Sequence, residues 1–212
     1  MAPLRVGVLL AGKMAQFLDV APVDILTMFT KSQLQEAGVA DSIIAQGVDM
    51  ELLYIAAQGS GLFQLTAGLR VEVTHGFDNT GQLDYLLVPG GTSPHYHASE
   101  AEKAFVRAQL PQLQALLGIC TGAFVVAEAG VLDGVTATGP RGLLPMYRKA
   151  APEVRWVEKR WEVEGKIWTS GGVANGNDLM AAFVRKTFPQ LAEFILSVTD
   201  TGDRGQFYPD QV

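Results

Sequence analysis

Short apolar runs alternate along the chain with longer stretches whose apolar positions recur every three or four residues. RVGVLL (5–10) predicts a first buried strand and runs into AGK. LDVAPVDILTMFTK carries a helical pattern from about Ala21, with Pro22 suited to the first turn. LLYIAAQ (52–58) predicts a second strand, and the alternating LRVEV (69–73) a half-exposed one. DYLLVPGG (84–91) predicts a buried strand that ends in a glycine pair. A helix follows over SEAEKAFVRAQL (99–110), where Ser99 and Glu102 stand at capping-box spacing. LLGI (116–119) is the next strand and TGAFVVAEAG (121–130) the next helix, closed by Gly130. Beyond VTAT (135–138) and a helix around GLLPMYRKAA lie RWVEKRW and KIWTSGG, split by Glu164-Gly165 as in a hairpin or adjacent strands. NDLMAAFVRKTF (177–188) and PQLAEFILSV (189–198) predict two closing helices. The polar tail from about residue 200 is expected to be loosely held. Residues 32–49 read as an insertion between the first helix and the second strand.

This alternation with short connections predicts an α/β fold: a mostly parallel sheet with helices on both faces. No repeat and no Pro-, Gly- or Ser-rich linker divides the chain, so residues 1–212 are expected to form one domain. Sites in such folds lie at the carboxyl ends of the strands. That rule selects AGKMAQFLD, PGGTSPHYH and GICTG.

Composition narrows the functions. A net charge of −6 and a pI near 5.0 argue against a nucleic-acid surface. Lysine and arginine are scattered, and no apolar run approaches the roughly 18 residues of a spanning helix. No nucleic-acid or membrane partner is expected. The single cysteine excludes an internal disulfide and fits a reducing, cytoplasmic setting.

Gly118-Ile-Cys120-Thr-Gly122 has the G-x-C-x-G form of a nucleophile elbow. A nucleophile on a sharp strand-to-helix turn is pushed toward strained dihedrals, and side chains on the flanking residues would collide across it. The following helix start is expected to lower the thiol pKa. Free cysteines are more often small buried hydrophobes, but the strand end, the two glycines and the helix together favour chemistry. The three histidines, His75, His95 and His97, all precede Cys120, and none has partners at metal-ligand spacing. No metal and no cofactor are expected. Asp19 precedes a helix and Asp24 falls in its first turn; either could face the sulfur, and both types of position also suit capping or dipole roles. A carboxyl beside a thiolate has its own pKa raised and can act as a general acid. Gly90 and Gly91 end the neighbouring strand, where the N–H groups of Gly91 and Thr121 could converge on developing charge. Phe17, Tyr96 and Phe124 are candidate walls of an apolar pocket, Phe124 also fitting the core.

FLDVAPVDIL, DYLLVPGGT, GICTGAFVVAEAGVLDG, TAT and TSGGVANGNDLMAAFV together resemble the superfamily of the parkinsonism-associated deglycase and PfpI proteins. That resemblance implies a flavodoxin-like, class I glutamine amidotransferase-like domain with the cysteine on an elbow, and usually a homodimer. L-D-V-x-x-P-x-D with C-T-G is most similar to the isocyanide hydratase branch. It implies Cys120 as nucleophile, Asp19 as acid/base partner, Thr121 in a positioning role, and a small-molecule substrate hydrated to an N-substituted formamide. Ala137-Thr138-Gly139-Pro140 stands where that branch carries T-T-H-W. Two other readings use the same thiol: glyoxalase or deglycase action on dicarbonyls, and non-catalytic redox sensing or chaperoning. AraC-type regulators share the domain but continue into a helix-turn-helix, for which no room is expected before Val212.

Overall fold

The computed structural model describes residues 2–91, 93, 96–202 and 204–211. The chain enters through β1 (Leu4–Leu9), β2 (Met14–Ala15), α1 (Phe17–Val20), α2 (Pro22–Thr27), α3 (Lys31–Glu36) and α4 (Asp41–Ile44). It continues through β3 (Met50–Ile55), β4 (Gly61–Leu65), β5 (Arg70–Val73), β6 (Tyr85–Val88) and α5 (Glu100–Gln109). Then come β7 (Ala115–Gly118), α6 (Gly122–Glu128), β8 (Thr136–Ala137), α7 (Leu144–Ala150) and β9 (Arg155–Trp156). The last elements are β10 (Trp161–Glu164), β11 (Ile167–Ser170), α8 (Asn175–Thr187) and α9 (Pro189–Thr199).

Six strands form the central sheet in the order β10-β11-β7-β6-β1-β3, parallel except for edge strand β10. Alternate residues serve opposite faces. Val6, Val8, Tyr85, Leu87, Leu117 and Trp168 face α2, α8 and α9. Leu9, Leu86, Val88 and Leu116 join the second core, beneath α5, α6 and α7. Burial on both faces is why these strands read as unbroken apolar runs. The expected flavodoxin-like α/β arrangement is what the chain adopts.

Several local expectations are met for the reasons given. Ser99 and Glu102 close a reciprocal capping box at the start of α5. Gly165, at φ 62°, turns β10 back along β11 as a hairpin. Residues 32–49 hold two short helices, α3 and α4. Gly61–Leu65 lacks a strand signal on its own, yet pairs with β5 and with β2 in a small separate sheet.

The tail departs from expectation because its polar groups find partners. Arg204 pairs with buried Asp178 at 2.7 Å, Tyr208 donates to Asn175 Oδ1 at 3.0 Å, and Arg141 pairs with Asp210 at 2.6 Å. The Arg160 N–H donates to the Gln206 carbonyl at 2.8 Å. Residues 204–210 are therefore tied to the sheet edge and α8 rather than loosely held. Among the described residues no helix is long and apolar enough to cross a membrane.

Candidate active site

Register builds the site. Val88 lies abreast of Gly118, and Gly118 abreast of Thr169, so Gly90, Cys120 and Ser170 emerge together at the carboxyl end of the sheet. Cys120 adopts φ 56°, in the left-handed region, which costs a non-glycine residue on the order of 1–3 kcal/mol. The neighbouring glycines make that turn feasible. A Cβ on Gly118 would stand 2.9 Å from Ala123 Cα, and one on Gly122 would collide with the Val88 carbonyl. The Cys120 N–H donates to Ser170 Oγ at 3.3 Å. Ser170 has no signal of its own in the sequence beyond its place at a strand end.

Of the two candidate aspartates, Asp19 faces the sulfur. Short helix α1 is held against the β6 end by reciprocal bonds. The Gln16 N–H donates to the Gly90 carbonyl at 2.8 Å, and the Gly90 N–H donates to Asp19 Oδ2 at 3.2 Å. Only glycine fits at position 90, where a Cβ would lie 2.7 Å from Asp19 Oδ2 and fall on Thr121 Oγ1. Asp19 is 0% exposed, and its Oδ1 has no well-aligned donor among the described residues. Asp24 is exposed and lines a different groove, with Tyr54 and Leu65. The expectation that Asp24 could face the sulfur and serve the site is therefore corrected: α2 turns that side chain outward.

Burial pushes the Asp19 carboxyl up to about 7, resisted by the Cys120 thiol and by the Gly90 N–H. Burial, then the Asp19 charge, push the Cys120 thiol up to about 12, against the pull of the Thr121 N–H. The carboxyl is raised as the sequence predicts, but by burial and not by a neighbouring thiolate, the Cys120 contact acting to lower it; a lowered thiol is not what the structure gives. Cys120 is 7% exposed, and desolvation beside an acidic group outweighs the start of the short helix α6. The pair holds protons as a unit and resists carrying two charges.

The expected oxyanion donors are already engaged. The Gly91 N–H donates to Thr121 Oγ1 at 3.0 Å, and that hydroxyl donates back to the Gly91 carbonyl at 3.2 Å. The Gly90 N–H serves Asp19, and the Thr121 N–H serves the sulfur. Gly91 is thus a tether between two loops, correcting its assignment as a donor to substrate. Thr121 fixes that tether.

Beside Gly91 a cavity of about 280 Å³ is lined by Gly12, Lys13, Met14 and Tyr96 among others. Tyr96 thus stands at a pocket wall, whereas Phe17 borders the groove of Asp24. Phe124 is buried and stacks on Tyr147, with ring centroids 4.6 Å apart. His97 bonds Glu128 at 2.6 Å and His75 bonds Thr74 at 2.9 Å; His95 lies outside the described residues. Tyr147, which the sequence does not single out, is 0% exposed and its hydroxyl has no partner among the described residues.

A cysteine elbow on a flavodoxin-like sheet, with a carboxyl buried against the sulfur, defines a class of thiol-bearing α/β domains. Residues 6–186 match the DJ-1/PfpI family, and the chain belongs to it. It is 28% identical over 113 residues to the HTH-type transcriptional regulator GbdR of Pseudomonas aeruginosa, covering 53% of this chain and 31% of that protein. It is 32% identical over 117 residues to an isonitrile hydratase of Pseudomonas putida, covering 53% of this chain and 49% of that one. These matches span less than half the length of either relative. The crystal structure of an AraC family transcriptional regulator from Pseudomonas putida superposes with a TM-score of 0.74 at 19% identity, over 93% of this chain and 100% of that one.

Proposed function

We propose that the chain is a cysteine-dependent hydratase acting on a small electrophile, an isocyanide converted to an N-substituted formamide. The observation that carries this reading is the Asp19 carboxyl, buried against Cys120 and poised at about 7. A thiol pushed up to about 12 is not ionised at neutral pH and needs a base in contact as it attacks. Asp19 is the group positioned to supply it.

The steps balance as follows. Asp19 takes the thiol proton as the sulfur bonds to the terminal isocyanide carbon, and returns it to that carbon, giving a thioimidate. Water then adds to the same carbon while its released proton passes through Asp19 to nitrogen. The C–S bond breaks, the sulfur regains a proton, and the formamide leaves. The modest, largely apolar cavity beside Gly91 is lined by neither Cys120 nor Asp19 and adjoins the elbow through the Gly91–Thr121 tether; its lining is compatible with a substrate of little charge. The relationship to an isonitrile hydratase supports the substrate class. Formamide production from n-butyl isocyanide, followed by mass spectrometry, tests the reading; its absence in the wild type rejects it.

The regulator relatives favour a second reading, small-molecule sensing without turnover. Under it, an isocyanide binds to wild type and to Cys120→Ala alike and is recovered unchanged. Lactate formed from methylglyoxal would instead identify dicarbonyl chemistry.

A further inference from the structure

On its β11 side the left-handed Cys120 turn is held by Ser170 Oγ, which accepts the Cys120 N–H at 3.3 Å and belongs to a residue 0% exposed. Ser170 is followed by Gly171-Gly172, a pair with little stiffness of its own. What steadies this turn comes from the far end of the sequence. A Cβ on Gly171 would lie 2.6 Å from the Tyr208 hydroxyl and 2.8 Å from Asn175 Oδ1. The two groups that close over Gly171 also bond each other, Tyr208 donating to Asn175 at 3.0 Å. Asn175 is buried, and its N–H donates to the Gly172 carbonyl at 2.7 Å, which closes the glycine pair. A second connection runs through backbone alone. The Gly171 N–H donates to the Arg160 carbonyl at 2.8 Å, and the Arg160 N–H donates to Gln206.

The segment is anchored at both ends. Arg204 grips Asp178 with two bonds, at 2.9 and 2.7 Å, and Asn175 Nδ2 donates to that same carboxylate at 2.9 Å. The Tyr208 ring packs against two guanidinium groups, Arg141 at 4.3 Å and Arg160 at 5.1 Å from its centroid. These ties converge on the residue next to the nucleophile's own acceptor. We propose that residues 204–210 form a strap that positions Cys120, with Tyr208 as its positioning residue. The hydroxyl acts through Asn175 and Gly171 to fix Ser170, and Ser170 keeps the cysteine in its strained turn. This inference goes beyond the hydratase reading and does not rest on it, because it concerns the thiol and not the substrate. With the strap seated, Cys120 stays at φ 56° and 7% exposed. With the strap loosened, the turn relaxes toward an unstrained backbone and the thiol opens to solvent.

Cys120 is the single cysteine of the chain, so alkylation by iodoacetamide, followed by intact-mass spectrometry, reads this site alone. Tyr208→Phe keeps the ring between the arginines and removes the bond to Asn175, leaving a buried acceptor unmet. At about pH 8 the thiol of Y208F should be alkylated about tenfold faster than that of wild type. That rate should stay flat in urea below the unfolding transition, as local opening requires. Arg204→Gln cuts the other anchor and should raise the rate about threefold; it carries the test if Y208F does not fold. Equal rates in Y208F and wild type overturn the positioning role. A faster rate that climbs steeply with low urea, in step with global unfolding, also overturns it, because Tyr208 then only stabilises the fold.

Discussion

At the start of α5 a buried glutamate is surrounded by donors; at the mouth of the sheet a buried aspartate is nearly starved of them. Glu102 accepts the Gly12 N–H at 2.8 Å, the Tyr96 hydroxyl at 2.5 Å, and the Ser99 N–H and hydroxyl at 2.7 Å each. Burial raises its pKa, but these four donors outweigh burial and hold the group below the ordinary carboxylate range. Asp19 has one N–H and a thiol, so burial wins and its pKa climbs to about 7. Asp19 is the more deeply buried of the two and also has fewer donors, and together these send the acidities in opposite directions. The first arrangement caps a helix and fixes a pocket wall. The second stores a proton beside a thiol.

Breaking the reactive side of this comparison should have the largest effect. Cys120→Ala removes the sulfur from a site already folded around it. Turnover should fall by a factor on the order of 10³ or more, with the circular dichroism spectrum unchanged. Asp19→Asn keeps the shape and removes the base, so kcat/KM should fall about 10²- to 10⁴-fold. The same variant should gain stability. Asp19 titrates at about 7 when folded and at the ordinary 3.8 when unfolded, so between these values the native state keeps a proton that the unfolded chain releases. Stability therefore declines as pH rises through that window, and denaturant titrations of D19N should lose the decline.

Gly90→Ala sharpens the comparison by moving Asp19 without altering it. The new Cβ would press on Asp19 Oδ2 and Thr121. We expect a loss of about 1–3 kcal/mol in denaturant unfolding and of about 10²-fold in activity. Glu102→Gln probes the satisfied side and should act mainly on stability. The cost is about 1–3 kcal/mol near neutral pH, read from denaturant midpoints. Because the folded pKa is lowered, the contribution is present above the unfolded value and vanishes on acidification; wild type and E102Q should therefore converge at low pH.

The contrast also shows how much the sequence could reveal. GICTG is legible because an apolar run, two glycines and a helix start are adjacent, and each constrains the next. S-E-A-E shows its cap for the same local reason. Asp19 could be named but not separated from Asp24, since the contacts that orient α1, Gln16 with Gly90 and Phe17 with Thr66, join segments remote in sequence. The raised thiol pKa was hidden because burial of the sulfur comes from segments remote in sequence. Tyr147 carried no mark at all: its surroundings, Phe124 and Gly139, are joined to it only by packing. The commitment of the Gly91 N–H to Thr121 is equally non-local. Of the sheet, the buried strands were readable, while β4 takes its identity from its partners.

The central claim is that Asp19 gives and takes the proton of Cys120. The pH dependence of kcat/KM for isocyanide hydration, measured on wild type and D19N from about pH 5 to about pH 9, tests it most directly. Wild type should rise to a plateau with a midpoint near the folded value of about 7, and D19N should be slow with no such midpoint. A flat wild-type profile, or the same midpoint in both proteins, would contradict it.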